Sequence, residues 1–97
     1  MTGVYKLVRR TEDLNCFASA YDVTYENLPE VSDWLTNLGV RNEVRQDRGI
    51  AILDHGIPGV YARMALPGDV VLFLTDSSKV SVRTKHNVAQ QYEVAGV

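Results

Sequence analysis

The most constraining feature of this sequence is a proline-glycine corner placed directly in front of its strongest apolar run. Pro67 and Gly68 suit the two central positions of a type II turn, because proline presets the first φ and glycine supplies the positive second one. Asp69 can then accept backbone N–H bonds as the chain leaves the corner. Residues 70–74, VVLFL, are too few for a helix and rich in β-formers. The pattern predicts a central strand that is buried on both faces.

A partner strand is predicted directly after this one. Residues 76–79, DSSK, have turn composition. Val80 and Val82 then alternate with Ser81 and Arg83, which indicates a strand with one solvent-facing side.

One long helix is predicted over residues 27–39, NLPEVSDWLTNLG. Asn27 is predicted to cap it, with Glu30 completing a capping box, and Gly39 supplies the C-terminal stop. Its apolar residues fall on one stripe at helical spacing: Val31, Trp34, Leu35 and Leu38. Trp34 is therefore expected to anchor the helix against a sheet.

Shorter alternating segments surround the helix and the corner. Strands are predicted over residues 4–10, 16–25, 40–46, 50–53 and 60–65, with a hairpin-type turn at residues 47–49 and a short C-terminal helix beginning at Thr84. This order predicts an α+β fold. We expect a curved, mostly antiparallel sheet of about six strands, with the main helix packed on it and the C-terminal helix closing an edge.

The bulk properties predict a single domain over residues 1–97. A hydrophobic fraction of 45% and a charged fraction of 23% are ordinary for globular chains, which argues against disorder. The single cysteine, Cys16, excludes an internal disulfide framework and fits a reducing cytoplasm. No apolar run approaches the length of a membrane span, and the N-terminus lacks the apolar core of a signal peptide, so no membrane partner is expected.

The charge balance argues against nucleic acid as a partner. The net charge is -2, whereas nucleic-acid binders usually carry a basic excess. A local basic patch could still form from Arg9, Arg10, Arg41, Arg45 and Arg48. Acidic residues are interspersed among most of these arginines, so a solvated surface is the favoured interpretation.

The order of elements resembles a widespread family of small phage and prophage proteins, most of whose functions are unknown. The matching pieces are residues 18–21 (ASAY), Trp34 with Leu35, the corner at residues 67–69 with its apolar strand, and Tyr92 with Glu93. The likeness covers residues 15–95, with one departure. Where the family has an aromatic residue and a glycine around its last hairpin, this chain has Val70 and the stretch 76–80. The resemblance implies a phage accessory protein, which we expect in the host cytoplasm, and it implies no reaction.

The sequence gives little support for catalysis. Asp54 and His55 are adjacent, but neighbours on a strand point to opposite faces, so a polar turn in which Asp54 bonds its own backbone is favoured over an acid–base pair. A dyad of Cys16 with His55 or His86 stays open without local support. Neither histidine has a carboxylate or cysteine at metal-ligand spacing, and no phosphate loop is present. We therefore predict no metal, no cofactor and no enzyme activity.

The strongest ligand signal is the segment RTKHN, which consists of Arg83, Thr84, Lys85, His86 and Asn87. It places cationic and polar side chains at the start of the predicted C-terminal helix, where N–H groups and the helix dipole favour an anion. An exposed helix cap is the alternative interpretation. Tyr61 and Arg63 are predicted to share a strand face and could form a base-stacking or cation–π surface, an ordinary sheet face being the alternative.

Three functional hypotheses follow from these features. The first is a phage-encoded, non-enzymatic binding protein that acts in counter-defence by sequestering a nucleotide immune signal of the host. It would be a homo-oligomer, because a pocket between subunits can enclose a ligand that a small monomer cannot. The second is a protein–protein antagonist of a host factor, or a virion accessory protein, that uses a sheet edge or the exposed helix face. The third is a small hydrolase built on Cys16 or on Asp54 and His55.

Overall fold

A computed structural model of the chain describes residues 3–9, 17–45, 48–55, 58–75 and 78–94. Within these ranges the chain forms eight strands and two helices: β1 Tyr5–Arg9, β2 Phe17–Asp22, α1 Leu28–Asn37, β3 Asn42–Arg45, β4 Gly49–Ile52, β5 Arg63–Ala65, β6 Asp69–Leu74, β7 Lys79–Thr84, α2 Lys85–Gln91 and β8 Tyr92–Val94. The predictions for Cys16, for Asp47 and for residues 76–77 lie outside the described residues.

The α+β class and the antiparallel pairing are confirmed. The described strands form a five-stranded sheet in the order β7-β6-β2-β1-β8 and a three-stranded sheet in the order β3-β4-β5. The sequence predicted about six strands in one curved sheet, whereas the described strands number eight and divide into two sheets. Local alternation identifies strands but carries no information about which strands pair. The short strand β8, which pairs with β1, was not predicted.

The interior strand β6 is covered on both faces, as the sequence predicts. Val70, Val71 and Leu72 are fully buried. Val71 belongs to the larger core, together with Leu35 of α1 and residues of the three-stranded sheet. Val70 and Leu72 belong to a second core on the opposite face, which also contains Val88 of α2. The five-stranded sheet is therefore the middle layer between α1 with the smaller sheet and α2.

The proline-glycine corner adopts the predicted type II geometry. Gly68 has φ +97°, and the Asp69 N–H donates to the Leu66 carbonyl at 2.8 Å. The Asp69 carboxylate accepts from the Leu66 N–H at 3.0 Å. The corner is also bonded to the chain beyond β2, because the Gly68 N–H donates to the Val23 carbonyl and the Val23 N–H donates to the Asp69 carbonyl, both at 2.9 Å. We call the two hydrogen bonds between the corner and Val23 the corner clamp.

Helix α1 ends as predicted. Gly39 has φ +81°, and its N–H donates to the Thr36 carbonyl at 3.0 Å. The Val40 N–H donates to the Leu35 carbonyl at 2.9 Å. These two bonds form a Schellman motif, which needs a residue that tolerates positive φ directly after the helix.

The capping box predicted for the start of α1 is wrong, because both of its side chains have other partners. The Asn27 Oδ1 accepts from the Thr24 N–H at 2.8 Å, and its Nδ2 donates to the Asp22 carbonyl at 2.7 Å. The Asn27 amide therefore stabilises the turn between β2 and α1. The Glu30 carboxylate accepts a hydrogen bond from the Tyr21 hydroxyl at 3.2 Å.

As predicted, Trp34 packs against the larger core. It lies at the margin of that core. Its indole is half-buried, and its ring centroid lies 5.6 Å from that of Tyr21 on β2 at an interplanar angle of 57°. This tilted arrangement is favourable for two aromatic rings. Leu38, predicted on the same apolar stripe, is exposed at the end of the helix.

Gly49 is the position at which the smaller sheet tolerates no side chain. A Cβ atom there would lie 2.0 Å from the backbone oxygen of Ala65. We expect Gly49→Ala to lower the free energy of unfolding by at least about 3 kcal/mol, because β4 and β5 would have to separate. Urea denaturation followed by tryptophan fluorescence measures this change.

Gly39→Ala is the matched control for this substitution. A Cβ atom at Gly39 would meet nothing within 4 Å, so only the left-handed backbone conformation would add a cost, of about 1–2 kcal/mol. Equal losses for the two variants would contradict the close approach of β4 to β5.

Candidate functional site

The outer face of the three-stranded sheet forms the floor of a surface groove. Ala51 of β4 pairs with Glu43 of β3 and with Met64 of β5, so these three side chains point to the same face. Ile50 and Ile52, the neighbours of Ala51, point to the other face and are fully buried in the larger core. Ala51 contributes only a methyl group, which the side chains around it bury, so the hollow on this face lies above Ala51 and is formed by those neighbours.

Aromatic and cationic side chains surround this hollow. We call it the tyrosine–arginine groove, and it is lined by Tyr25, Arg45, Arg48, Ala51, Tyr61, Ala62, Met64, Leu66 and Pro67. Its volume is about 910 Å³. Tyr25 and Tyr61 are 63% and 79% exposed, so both rings are largely accessible to solvent. The groove thus combines aromatic faces, guanidinium groups and an apolar floor, which together suit an aromatic anion.

The two arginines of this groove differ in their ion pairing. The Arg45 Nη2 lies 2.8 Å from the Glu43 Oε2, and both side chains are about half exposed. Arg48 is exposed and makes no ion pair with any other residue that the structure describes. Among the described residues, one carboxylate lies beside the two guanidinium groups, which gives this part of the groove a positive balance.

A tight ion pair lies at the start of β3. The Asp54 Oδ1 accepts from Nε and Nη2 of Arg41 at 3.0 and 2.8 Å, and its Oδ2 accepts from the Arg41 N–H at 2.9 Å. Hydrogen bonds from Arg41 lower the pKa of Asp54, and the same pairing raises the pKa of Arg41. The prediction that Asp54 bonds its own backbone in a polar turn is wrong, because the N–H that its carboxylate binds belongs to Arg41, 13 residues earlier in the chain. A carboxylate with a lowered pKa is a weaker proton acceptor than an ordinary one.

The basic patch considered from the sequence is thus divided. Arg45 and Arg48 line one groove, whereas Arg41 is paired with Asp54. The side chains of Arg9 and Arg10 lie outside the described residues.

A second cationic groove runs along β7. We call it the β7 groove, and it is lined by His55, Arg63, Leu74, Lys79, Val80, Ser81, Val82 and Arg83, with a volume of about 390 Å³. Arg83 is held on the strand, because its Nε donates to the Ser81 Oγ at 2.9 Å and its Nη1 lies 3.5 Å from the Asn87 Oδ1. Arg63 and Lys79 are exposed.

The predicted RTKHN segment forms the junction of β7 and α2. Thr84 is the N-cap of α2, and its Oγ1 accepts from the Asn87 N–H at 3.1 Å, so the helix begins where the sequence predicts. Arg83 faces the β7 groove, whereas Lys85 and His86 are exposed on a helix of seven residues. The five residues therefore do not converge on a single concavity, and the predicted anion site at this segment stays a prediction.

The prediction that Tyr61 and Arg63 share a strand face is wrong. Strand β5 begins at Arg63, and Tyr61 lies before it. Tyr61 lines the tyrosine–arginine groove and Arg63 the β7 groove. The chain segment from Val60 to Ala62 does not continue the ladder of β4 and β5, so the alternation in the sequence overstates the strand.

A third cavity lies between α2 and the strands β1 and β8, and no pattern in the sequence indicates it. It has a volume of about 550 Å³, and Tyr5, Asp22, Lys85 and Tyr92 are among its lining residues. The Tyr5 hydroxyl donates to the Asp22 Oδ1 at 2.5 Å. Burial, together with this bond, raises the pKa of Tyr5 well above its usual value.

Sequence reasoning missed three residues of the tyrosine–arginine groove as ligand-binding candidates. Tyr25 was assigned to a strand, and Arg45 and Arg48 to a solvated surface. The available signal was the small residue at Ala51, flanked by Ile50 and Ile52, because a small outward residue between two core residues leaves a hollow above the sheet.

The Arg41–Asp54 pair predicts a pH-dependent contribution to stability. The folded-state pKa of Asp54 is below its unfolded value, so its contribution is present above about pH 4 and is lost as the pH falls through the folded pKa. Asp54→Asn should therefore lower the urea midpoint at about pH 7 more than at about pH 3. Arg41→Gln should have a smaller effect, because the backbone N–H of residue 41 still bonds the Asp54 carboxylate, and the double variant should lose no more than Asp54→Asn alone. Additive losses would show that the two residues act separately.

Further searches add no known relative to this picture. Among the described residues, no three His, Cys, Asp or Glu side chains cluster as metal ligands would. The described part of the chain contains no helix with the length and apolar character needed to cross a membrane. Comparison with family models, curated proteins and solved structures found no match to this chain.

Proposed function

We propose that the protein is a non-enzymatic binding module that holds a small anionic nucleotide in the tyrosine–arginine groove. The observation that carries this proposal is the convergence of two largely exposed tyrosines, Tyr25 and Tyr61, with Arg45 and Arg48 over an apolar floor. A protein rarely leaves such rings in solvent on the wall of a concavity unless they meet a partner.

Each part of a nucleotide finds a complementary group in this groove. A base can stack on a tyrosine ring, which contributes about 1–3 kcal/mol per base. Phosphate oxygens can accept charge-assisted hydrogen bonds from Arg48, and from Arg45 once its guanidinium group turns from Glu43. The apolar floor at Ala51 and Met64 excludes water from the stacked base. The volume also falls within the range of small-molecule sites.

The lining favours binding over hydrolysis. The described residues that line the groove are tyrosines, arginines, alanines, a methionine, a leucine and a proline, with no carboxylate, histidine or cysteine among them. The hydrolase hypothesis built on Asp54 and His55 would use Asp54 as a base, and the pairing with Arg41 lowers its pKa. The version built on Cys16 concerns a residue outside the described ranges. We therefore retain hydrolysis only as an outcome that the experiment below can detect.

The biological setting is part of the proposal and rests on the resemblance to phage accessory proteins. In that setting the nucleotide is an immune signal of the host, and the protein sequesters it in the host cytoplasm. The groove is open to solvent on the outer face of the smaller sheet, and a second copy of the chain could cover it. A homo-oligomer in which each groove is closed by a neighbour is the corresponding assembly.

Calorimetry with linear and cyclic nucleotides tests the proposal directly. We expect at least one nucleotide to bind, and Tyr61→Ala to weaken binding by about tenfold because the stacking surface is lost. Tyr61→Phe keeps the ring and should bind within about twofold of the original protein. Arg48→Glu should weaken binding, whereas Lys6→Glu, a charge reversal at an exposed residue of β1, should not.

Co-purification identifies the natural ligand. Protein isolated from host cells that produce the signal should release material absorbing near 260 nm on denaturation, and Tyr61→Ala should release less. Chromatography of the released material distinguishes an intact nucleotide from a hydrolysed one. The proposal is abandoned if no nucleotide co-purifies and none binds in calorimetry.

The alternative of an antagonist that binds a protein is supported by a separate feature, the exposed edge of β7. This edge has a cationic lining but presents no aromatic ring.

A further inference from the structure

We propose that the edge of β7 binds an extended acidic segment of another protein as an added strand. This site is distinct from the tyrosine–arginine groove and does not depend on the function proposed for it. The partner is defined by its chemistry, as a chain segment with carboxylates at alternate positions.

The first supporting observation is the position of β7 in its sheet. Among the described strands, β7 has a neighbour only on its β6 side, where all six residues from Lys79 to Thr84 are paired. Its other side therefore presents the N–H and C=O groups that an edge strand offers to an incoming chain. A six-residue edge is long enough for the strand addition by which other domains bind extended peptides.

The second observation is the charge along this edge. Lys79 and Arg83 are four residues apart on one face of β7, which separates them by about 13 Å at the usual rise per residue. Arg63 of β5 lines the same groove. No carboxylate occurs among the described residues that line it, although the whole chain has a net charge of -2. The cations are thus concentrated along the edge of β7, where a strand can be added to the five-stranded sheet.

The same charges argue against a second copy of this chain as the partner. If two β7 strands paired antiparallel about Ser81, Lys79 of each copy would lie opposite Arg83 of the other. Like charges directly opposite each other destabilise a strand pair. An acidic strand with carboxylates four residues apart would instead meet a cation at both positions, and each such pair is favourable.

Arg83 is already held for this contact. Its hydrogen bond to Ser81 and its approach to Asn87 restrict the side chain before a partner arrives. Less conformational entropy is then lost when a carboxylate binds to it. Lys79 and Arg63 are exposed and can adjust to the partner's side chains.

A blocked peptide in which glutamate alternates with valine or threonine tests this proposal. We expect it to bind the full chain at low salt, to weaken as salt is added, and to shift the amide NMR signals of β7. Arg63→Glu combined with Lys79→Glu should weaken binding by at least about tenfold, since two attractions become repulsions. Both residues are exposed, so the variant should keep its fold, which an unchanged urea midpoint would verify.

Controls separate strand addition from simple charge attraction. Lys6→Glu, which reverses an exposed charge on β1, should bind the peptide within about twofold of the original protein. The same peptide with N-methyl groups on consecutive residues keeps its charge but loses the N–H donors on both of its edges, so it cannot complete the ladder and should not bind. Equal binding of the methylated peptide, or no binding of the acidic peptide, overturns the proposal. Nucleotide binding should be unchanged in the Arg63 and Lys79 variant, so failure of one proposal does not imply failure of the other.

Discussion

The corner clamp is the interaction on which the rest of the structure depends. It joins the turn between β5 and β6 to Val23, directly after β2, through two backbone hydrogen bonds. Because β5 belongs to the smaller sheet and β6 to the larger one, the clamp fixes where the two sheets meet. It also places Leu66 and Pro67 close to the chain segment that carries Tyr25. The wall of the tyrosine–arginine groove is in this sense a product of the same turn that starts the central strand.

Charge is distributed so that a slightly acidic chain has two cationic concavities. Asp54 and Glu43 each bind an arginine at or next to β3, which leaves Arg48 as the groove cation without an ion pair to another described residue. The described residues that line the β7 groove include no carboxylate. Net charge is therefore a poor guide to the local electrostatic potential of this protein, since the balance of charges differs from groove to groove.

The features that could be predicted from the sequence are those that depend on residues close together along the chain. The type II corner at Pro67, the Schellman end of α1 at Gly39 and the cap of α2 at Thr84 each depend on a few consecutive residues. The features that it could not predict depend on pairing between distant segments. The division into two sheets and the convergence of Tyr25 with Arg48 follow from strand register, which no local pattern specifies. The capping box failed for a different, local reason, because the Asn27 side chain bonds the turn before the helix and Glu30 accepts from the Tyr21 hydroxyl.

The methyl group of Ala51 has a consequence for the shape of this surface. Strand β4, which carries Ala51, lies close to β5 where Gly49 meets Ala65, and this contact fixes the position of its backbone. The depth of the hollow then depends on the volume of one side chain. Ala51 is itself fully buried, so valine or leucine at that position would have to displace the side chains that cover it. The small size of this one residue therefore sets the shape of the groove floor, while the isoleucines on either side of it in the chain belong to the core on the opposite face.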